Sequence, residues 1–231
     1  MKLIENDIYH IYNRGNNRQQ VYFYDDHYEH FIKLMKKNIL PYCEMLAWCL
    51  MPNHFHFLIQ ANARSIMMIE DDSFPRQRFS QGIKQLLSMY TKAVNLHMDF
   101  TGSRFQQKTR GKNVSEEQYA TTAFHYIHQN PIKAGLVQRI EDWPFSSFNE
   151  YTGNHPTRLC NRQRAFDLID TEPDTMYNDT YDILSDFNVA NIFNRHVYGF
   201  FSSDDNSINN NKSAYYRATG KFLKRPLLSF A

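Results

Sequence analysis

Met51-Pro52-Asn53-His54-Phe55-His56-Phe57-Leu58-Ile59 is the stretch on which the fold of this chain turns. Pro52-Asn53 is a turn signal, and polar and bulky apolar residues alternate after it, the period of a strand. Tyr42 to Met51 therefore reads as a long strand and His54 to Gln60 as its antiparallel partner. Side chains on a strand alternate between faces, so both imidazoles point one way while Phe55, Phe57 and Ile59 point into a core. Two neutral nitrogen ligands side by side suit a divalent metal with positions left open for substrate oxygens. The bland reading of an isolated His-x-His is two polar side chains on a solvated strand face.

A second informative stretch is Phe124-His125-Tyr126-Ile127-His128-Gln129-Asn130-Pro131. Ser115 followed by Gln118 reads as a capping box that opens a helix, and Pro131 places its end at Asn130. Tyr126 and Asn130 are four apart, hence neighbours on one helix face, with Ala120, Phe124 and Ile127 as the apolar stripe beside them. A phenol one turn before a carboxamide oxygen pairs a nucleophile with a third metal ligand. The alternative is a tyrosine packed on the sheet and an asparagine acting as a helix C-cap.

Outward from these motifs, Asp7 to Asn13 reads as a strand followed by the turn Arg14 to Asn17. Asp25 or Asp26 caps a helix that runs to about Lys37 and is ended by Pro41. Residues 61–75 read as a loop, and Arg76 to His97 as a helix with Ile83, Leu86, Leu87, Tyr90 and Val94 at helical spacing. A short strand around Arg104 to Gln107 and a basic loop precede the helix that carries Tyr126. Strand-helix-strand-strand-helix-strand is the α+β, ferredoxin-like order, an antiparallel sheet with helices packed on it. Residues 1–155 form the expected catalytic unit, closing at Trp143-Pro144-Phe145-Ser146-Ser147. Residues 156–231 form a mostly helical extension, with helices near Arg162 to Ile169 and Tyr177 to Phe193, a polar linker from Asp204 to Lys212 and a basic, aromatic tail.

With 231 residues, the chain can bury one sizeable core plus an appendage, or form two small domains. No apolar run approaches a membrane span, and the N-terminal residues lack the apolar core of a signal peptide, so a cytoplasmic location is expected. Cys43, Cys49 and Cys160 form no Cys-x-x-Cys pair and read as reduced thiols. The net charge is only +2, but the charges segregate. Ser103 to Val114 holds Arg104, Lys108, Arg110 and Lys112 without an acid. Asn209 to Ala231 holds Lys212, Arg217, Lys221, Lys224 and Arg225 without one, and Arg14 and Arg18 form a third spot. The acids gather at Glu70 to Asp72 and from Asp167 to Asp186. Basic surfaces on a nearly neutral protein point to a polyanionic partner.

Five ordered blocks make the chain resemble the single-tyrosine HUH (IS200-like) transposases, most closely their REP-associated branch. They are Tyr9 to Asn17, Met51 to His56, Phe105 to Lys108, Tyr126 to Pro131 and Trp143 to Ser147. The resemblance implies a ferredoxin-like fold and cleavage and rejoining of single-stranded DNA through a 5′-phosphotyrosine. By position it makes His54, His56 and Asn130 the ligands of Mg²⁺ or Mn²⁺, and Tyr126 the nucleophile. Single-stranded or hairpin DNA is then the expected partner of a monomer or homodimer, with Arg14, Arg18, Arg104, Lys108, Arg110, Lys112 and Lys133 as candidate DNA contacts. Tyr215, Tyr216 and Phe222 in the tail are candidate stacking residues. A His-x-His-x-His nucleotide hydrolase or transferase is disfavoured by Leu58 at the third position. The competing readings are a replication-initiator or relaxase-type nickase, and a domesticated DNA- or RNA-binding module of the same fold.

Overall fold

The computed structural model describes residues 1–69, 75–153 and 158–185. Its backbone order is β1 (Ile8–Arg14), α1 (Asp25–Asn38), β2 (Glu44–Met51), β3 (His54–Gln60), α2 (Arg78–Met98), β4 (Arg110–Asn113) and α3 (Glu117–Lys133). The four strands form one antiparallel sheet in the order β2-β3-β1-β4. That is the ferredoxin-like arrangement, in which the hairpin β2–β3 is inserted beside β1 and the last strand closes the far edge.

The register decides what each face carries. Tyr12 lies opposite His56, and Arg14 opposite His54, while Asn13 and Ile11 oppose Phe55 and Phe57. Residues opposite each other on neighbouring strands share a face. Phe55 and Phe57 meet α1 and α2 on one side: Phe31 of α1 lies 5.6 Å from Phe55 and 4.9 Å from Tyr90 of α2, ring centre to ring centre. These rings are fully buried, and truncating one such phenylalanine to alanine costs about 3–5 kcal/mol. Gly82 lets the two helices close, since a Cβ there would stand 2.1 Å from the Asn38 carbonyl oxygen. The opposite face is covered by α3, whose Ala120, Phe124 and Ile127 are wholly buried.

The block at 143–147 works as an edge cover. Leu50 N donates to Phe145 O and Ser147 N to Trp48 O, both at 2.9 Å, so this segment satisfies the outer side of β2. The next described stretch packs back on the same core. The buried Glu150 carboxylate accepts from Trp48 Nε1, Leu159 N and Cys160 N. In α4 (Met176–Ser185), Thr180 meets His125 and Gln129 of α3.

Several boundaries differ from those the sequence suggests. The fourth strand is Arg110–Asn113, not Arg104 to Gln107, where Phe105 makes a single bridge to Gly15. As an edge strand of Arg, Gly, Lys and Asn it has no apolar alternation to betray it. Ser115 and Gln118 form no capping box. The Ser115 hydroxyl accepts instead from Ile8 N, and α3 begins at Glu117 without a side-chain cap. Asp25 and Asp26 lie in the first turn of α1 and do not cap it; there they suit the positive end of the helix dipole.

Nor does α3 stop at Pro131; it runs on to Lys133. Proline has no N–H for the Ile127 carbonyl, and the Asn130 side chain supplies Nδ2 there, at 3.5 Å, while also donating to Tyr126 O at 2.9 Å. The expected loop 61–75 contains a capped turn of helix at Ala63–Ile66 and a two-residue strand, Met68–Ile69, paired with Arg76–Gln77. Of the two helices expected beyond residue 156, the first is Arg162–Phe166 and the second is described over Met176–Ser185, the rest of its expected span, 186–193, lying outside the described residues. The acids at 70–72, the linker and the basic, aromatic tail fall outside the described residues.

Candidate active site

His54 and His56 share a face of β3 with ring centres 4.8 Å apart and planes nearly perpendicular. Each is oriented through Nδ1. His54 Nδ1 lies 2.5 Å from Asn53 Oδ1, which can only accept there, so this nitrogen carries the proton. His56 Nδ1 lies 3.0 Å from His10 Nε2. Both hydrogen bonds leave Nε2 as the ring nitrogen presented to a ligand, the arrangement by which a neighbouring group fixes a metal-binding tautomer.

Electrostatics keep the inner rings neutral. Burial, then the charges of His54, His10 and Arg14, hold the His56 pKa well below the ordinary histidine value. Burial, aided by Lys112, brings His10 down to about 3. Neutral imidazoles are the form that donates a lone pair.

From α3, the Tyr126 ring meets His56 edge to face at 6.3 Å. Asn130 follows one turn later and is buried. Because its Nδ2 is committed to backbone carbonyls, the outward atom of that amide is Oδ1, the acceptor. Lys133 continues the same helix face and sets its ammonium 4.8 Å from the centre of the Tyr126 ring. Partial desolvation there lowers its pKa to about 8. Among the described residues no group of three or more His, Cys, Asp or Glu side chains is arranged for a metal ion. The residues that could hold a metal here are His54, His56 and Asn130, the last through its oxygen. Two imidazoles and one amide oxygen, without thiolate, fit Mn²⁺ well and Mg²⁺ acceptably.

The basic residues divide into groups. Arg110 opposes Tyr12 and Lys112 opposes His10, so both rise from the histidine face. Arg14, on that face opposite His54, is buried and close enough to His56 to act on its charge. Arg18 is exposed in the turn beside Asn53, and its carbonyl accepts from Asn53 Nδ2 at 3.2 Å. Arg104 turns away, its guanidinium 4.8 Å over Phe100, and Lys108 lines a groove beside α2.

His10 and Tyr12 are site residues that the motifs alone do not single out. Their rings stack at 5.0 Å beside His56. The signal for them is the period-two spacing His10, Tyr12, Arg14 within β1, which becomes informative once β1 is paired with the histidine strand. His125 and His128, by contrast, are structural: they bond to the hydroxyls of Thr180 and Ser147 at 2.8 and 2.7 Å.

Comparison with known proteins gives the family of the chain. The family described as "Transposase IS200 like" matches residues 4–130, just over half of the chain. A REP-associated tyrosine transposase of Escherichia coli K12 is 26% identical over 106 residues, 46% of this chain and 54% of the relative. A Haemophilus influenzae protein assigned to the same class is 23% identical over 106 residues, 46% of this chain and 59% of its own length. The chain thus spans between half and three-fifths of the curated relatives it matches. A solved REP-associated tyrosine transposase bound to a REP hairpin superimposes with a TM-score of 0.49 at 20% identity, covering 69% of this chain and 87% of that one.

Proposed function

The chain belongs to the IS200-like transposase family, and from that premise we propose that it cleaves and rejoins single-stranded DNA through a covalent bond between Tyr126 and a 5′ phosphate. The observation that carries this reading is the meeting of Tyr126 with His56 across the sheet–helix interface, with Asn130 one turn further along the same helix. In this reading the Tyr126 phenol, the two imidazoles and the Asn130 oxygen together receive the phosphodiester.

His54, His56 and Asn130 would hold the divalent ion. When bound, such an ion would supply Lewis-acid polarisation of the scissile phosphate. Tyr126 gives up its phenolic proton and its oxygen attacks phosphorus. The bond from phosphorus to the 3′ oxygen breaks, leaving a free 3′-hydroxyl and a 5′-phosphotyrosine. That intermediate is still a phosphodiester, so a second 3′-hydroxyl can attack it and release Tyr126 without an external energy source. Arg14, Arg110 and Lys112 surround the histidines with positive charge, which favours a phosphate backbone on this face. A strand face covered by a helix admits a single strand more readily than a closed duplex, which favours single-stranded or hairpin DNA as substrate.

The test is to mix the protein with Mn²⁺ and a library of end-labelled hairpin oligonucleotides bearing single-stranded flanks. A protein–DNA adduct that survives denaturant supports the reading. Binding without any adduct, across the library with Mn²⁺ and again with Mg²⁺ in its place, favours the binding module of the same fold.

A further inference from the structure

On the face opposite the histidines, α2 and residues 103–109 enclose a groove of about 640 Å³. One wall is a single stripe of α2: Ser80, Lys84, Leu87, Ser88, Thr91 and Lys92 recur at helical spacing. Lys84 and Lys92 are two turns apart, about 12 Å along the axis. The other wall is Ser103, Gln106, Gln107, Lys108 and Thr109, over a floor that includes the buried rings and chains of Ile83 and Phe105.

The charge pattern of both walls is one-sided. Over its 21 residues α2 carries Arg78, Lys84 and Lys92 and no acid. Ser103 to Val114 carries four basic residues and no acid. A solvated helix face ordinarily interleaves acids with its lysines at three- or four-residue spacing. Here three ammonium groups and a row of hydroxyls and amides line one concave surface, and no carboxylate lies among its lining residues.

The groove is continuous in sequence with the histidine face. Lys108 on its rim leads directly into β4, whose Arg110 and Lys112 rise on the other side of the sheet. Basic residues therefore pass around the sheet edge, from Lys92 and Lys84 through Lys108 to the neighbourhood of His10.

We propose that this groove is a second DNA-binding site, in which Lys84, Lys92 and Lys108 hold the sugar–phosphate backbone of the strand that continues beyond the cleaved bond. It rests on the reading of DNA as the substrate, but it assigns a surface remote from the chemistry. A strand held at both places would be clamped around the sheet edge.

The test is the double variant Lys84→Gln and Lys92→Gln in the full chain. Both side chains are exposed and glutamine is a good helix former, so the fold survives. Binding to a hairpin with a long single-stranded flank is followed by fluorescence anisotropy over a series of salt concentrations. Each single-strand phosphate contact contributes about 0.7 to the slope of log affinity against log salt, so loss of two should lower the slope by about 1.4. Adduct formation on a short oligonucleotide that ends near the cleaved bond should keep the wild-type rate. An unchanged slope and affinity on the long DNA overturns the proposal. If wild-type protein forms no adduct on any DNA while the variant still loses the slope, the groove stands and the cleavage reading falls.

Discussion

His10 Nε2 lies 3.0 Å from His56 Nδ1, joining two adjacent strands through a pair of buried, neutral imidazoles. If His56 binds metal through Nε2, its Nδ1 must carry the proton, and His10 is the acceptor that holds it there. His10→Ala removes that partner without touching a ligand. Mn²⁺ affinity measured by calorimetry should fall by about 10- to 100-fold, the usual cost of losing a group that orients a metal ligand. His54→Ala or His56→Ala should weaken it further. Wild-type affinity in all three variants would contradict the ligand assignment.

Lys133 is a candidate DNA contact whose ammonium lies over the ring of Tyr126, the proposed nucleophile. A cation in that position fixes the ring and offsets negative charge developing on the phenol oxygen, an effect of about 0.5–2 kcal/mol. Lys133→Met should slow adduct formation at saturating DNA by roughly two- to thirtyfold, and Lys133→Arg should restore most of it. Equal rates for the methionine variant and wild type, with weakened binding, would instead make Lys133 a DNA contact alone.

The buried histidines also set the response to acid. Burial is the first cause of the depressed pKa of His10, about 3, of His27 and His125, each about 4, and of His56 and His128, which are held well below the ordinary value. Unfolded, each would titrate near 6.5. The unfolded chain therefore binds more protons below that pH, and stability present above it is lost as pH falls. The loss amounts to about 1.4 kcal/mol per histidine for each unit below 6.5. Thermal melts should show Tm falling steadily between pH 6.5 and 5. A flat profile over that range would contradict the burial of these rings.

Gly82→Ala separates helix propensity from packing. Alanine is favoured over glycine in a helix by about 1 kcal/mol. Against that, the new methyl would stand 2.1 Å from the Asn38 carbonyl oxygen and force α1 and α2 apart, at about 1–3 kcal/mol. A lowered urea midpoint is expected, and a raised one would show that the helices separate freely.

Much of this architecture is legible in the sequence because period-two alternation in His54 to Gln60 carries both the sheet and the histidine face. The helix spacing of Tyr126 and Asn130 is equally plain. What escapes is local and has local causes. Arg110–Asn113 is a strand by virtue of its pairing with Tyr9–Tyr12, not of any apolar residue of its own. Pro131 signals a helix end that the Asn130 side chain averts. Arg14 reads as surface charge, yet its register opposite His54 buries it at the site. In each case a partner distant in sequence, or a single side-chain hydrogen bond, overrides the residue's ordinary preference.

The central claim is that the Tyr126 oxygen becomes bonded to DNA. Wild type and Tyr126→Phe are each incubated with Mn²⁺ and a cleavable oligonucleotide, digested, and analysed by tandem mass spectrometry. The account predicts a nucleotide on the wild-type peptide at Tyr126, and no adduct in the variant despite near-normal DNA binding. An adduct on another tyrosine, or one formed at the wild-type rate by Tyr126→Phe, would contradict it.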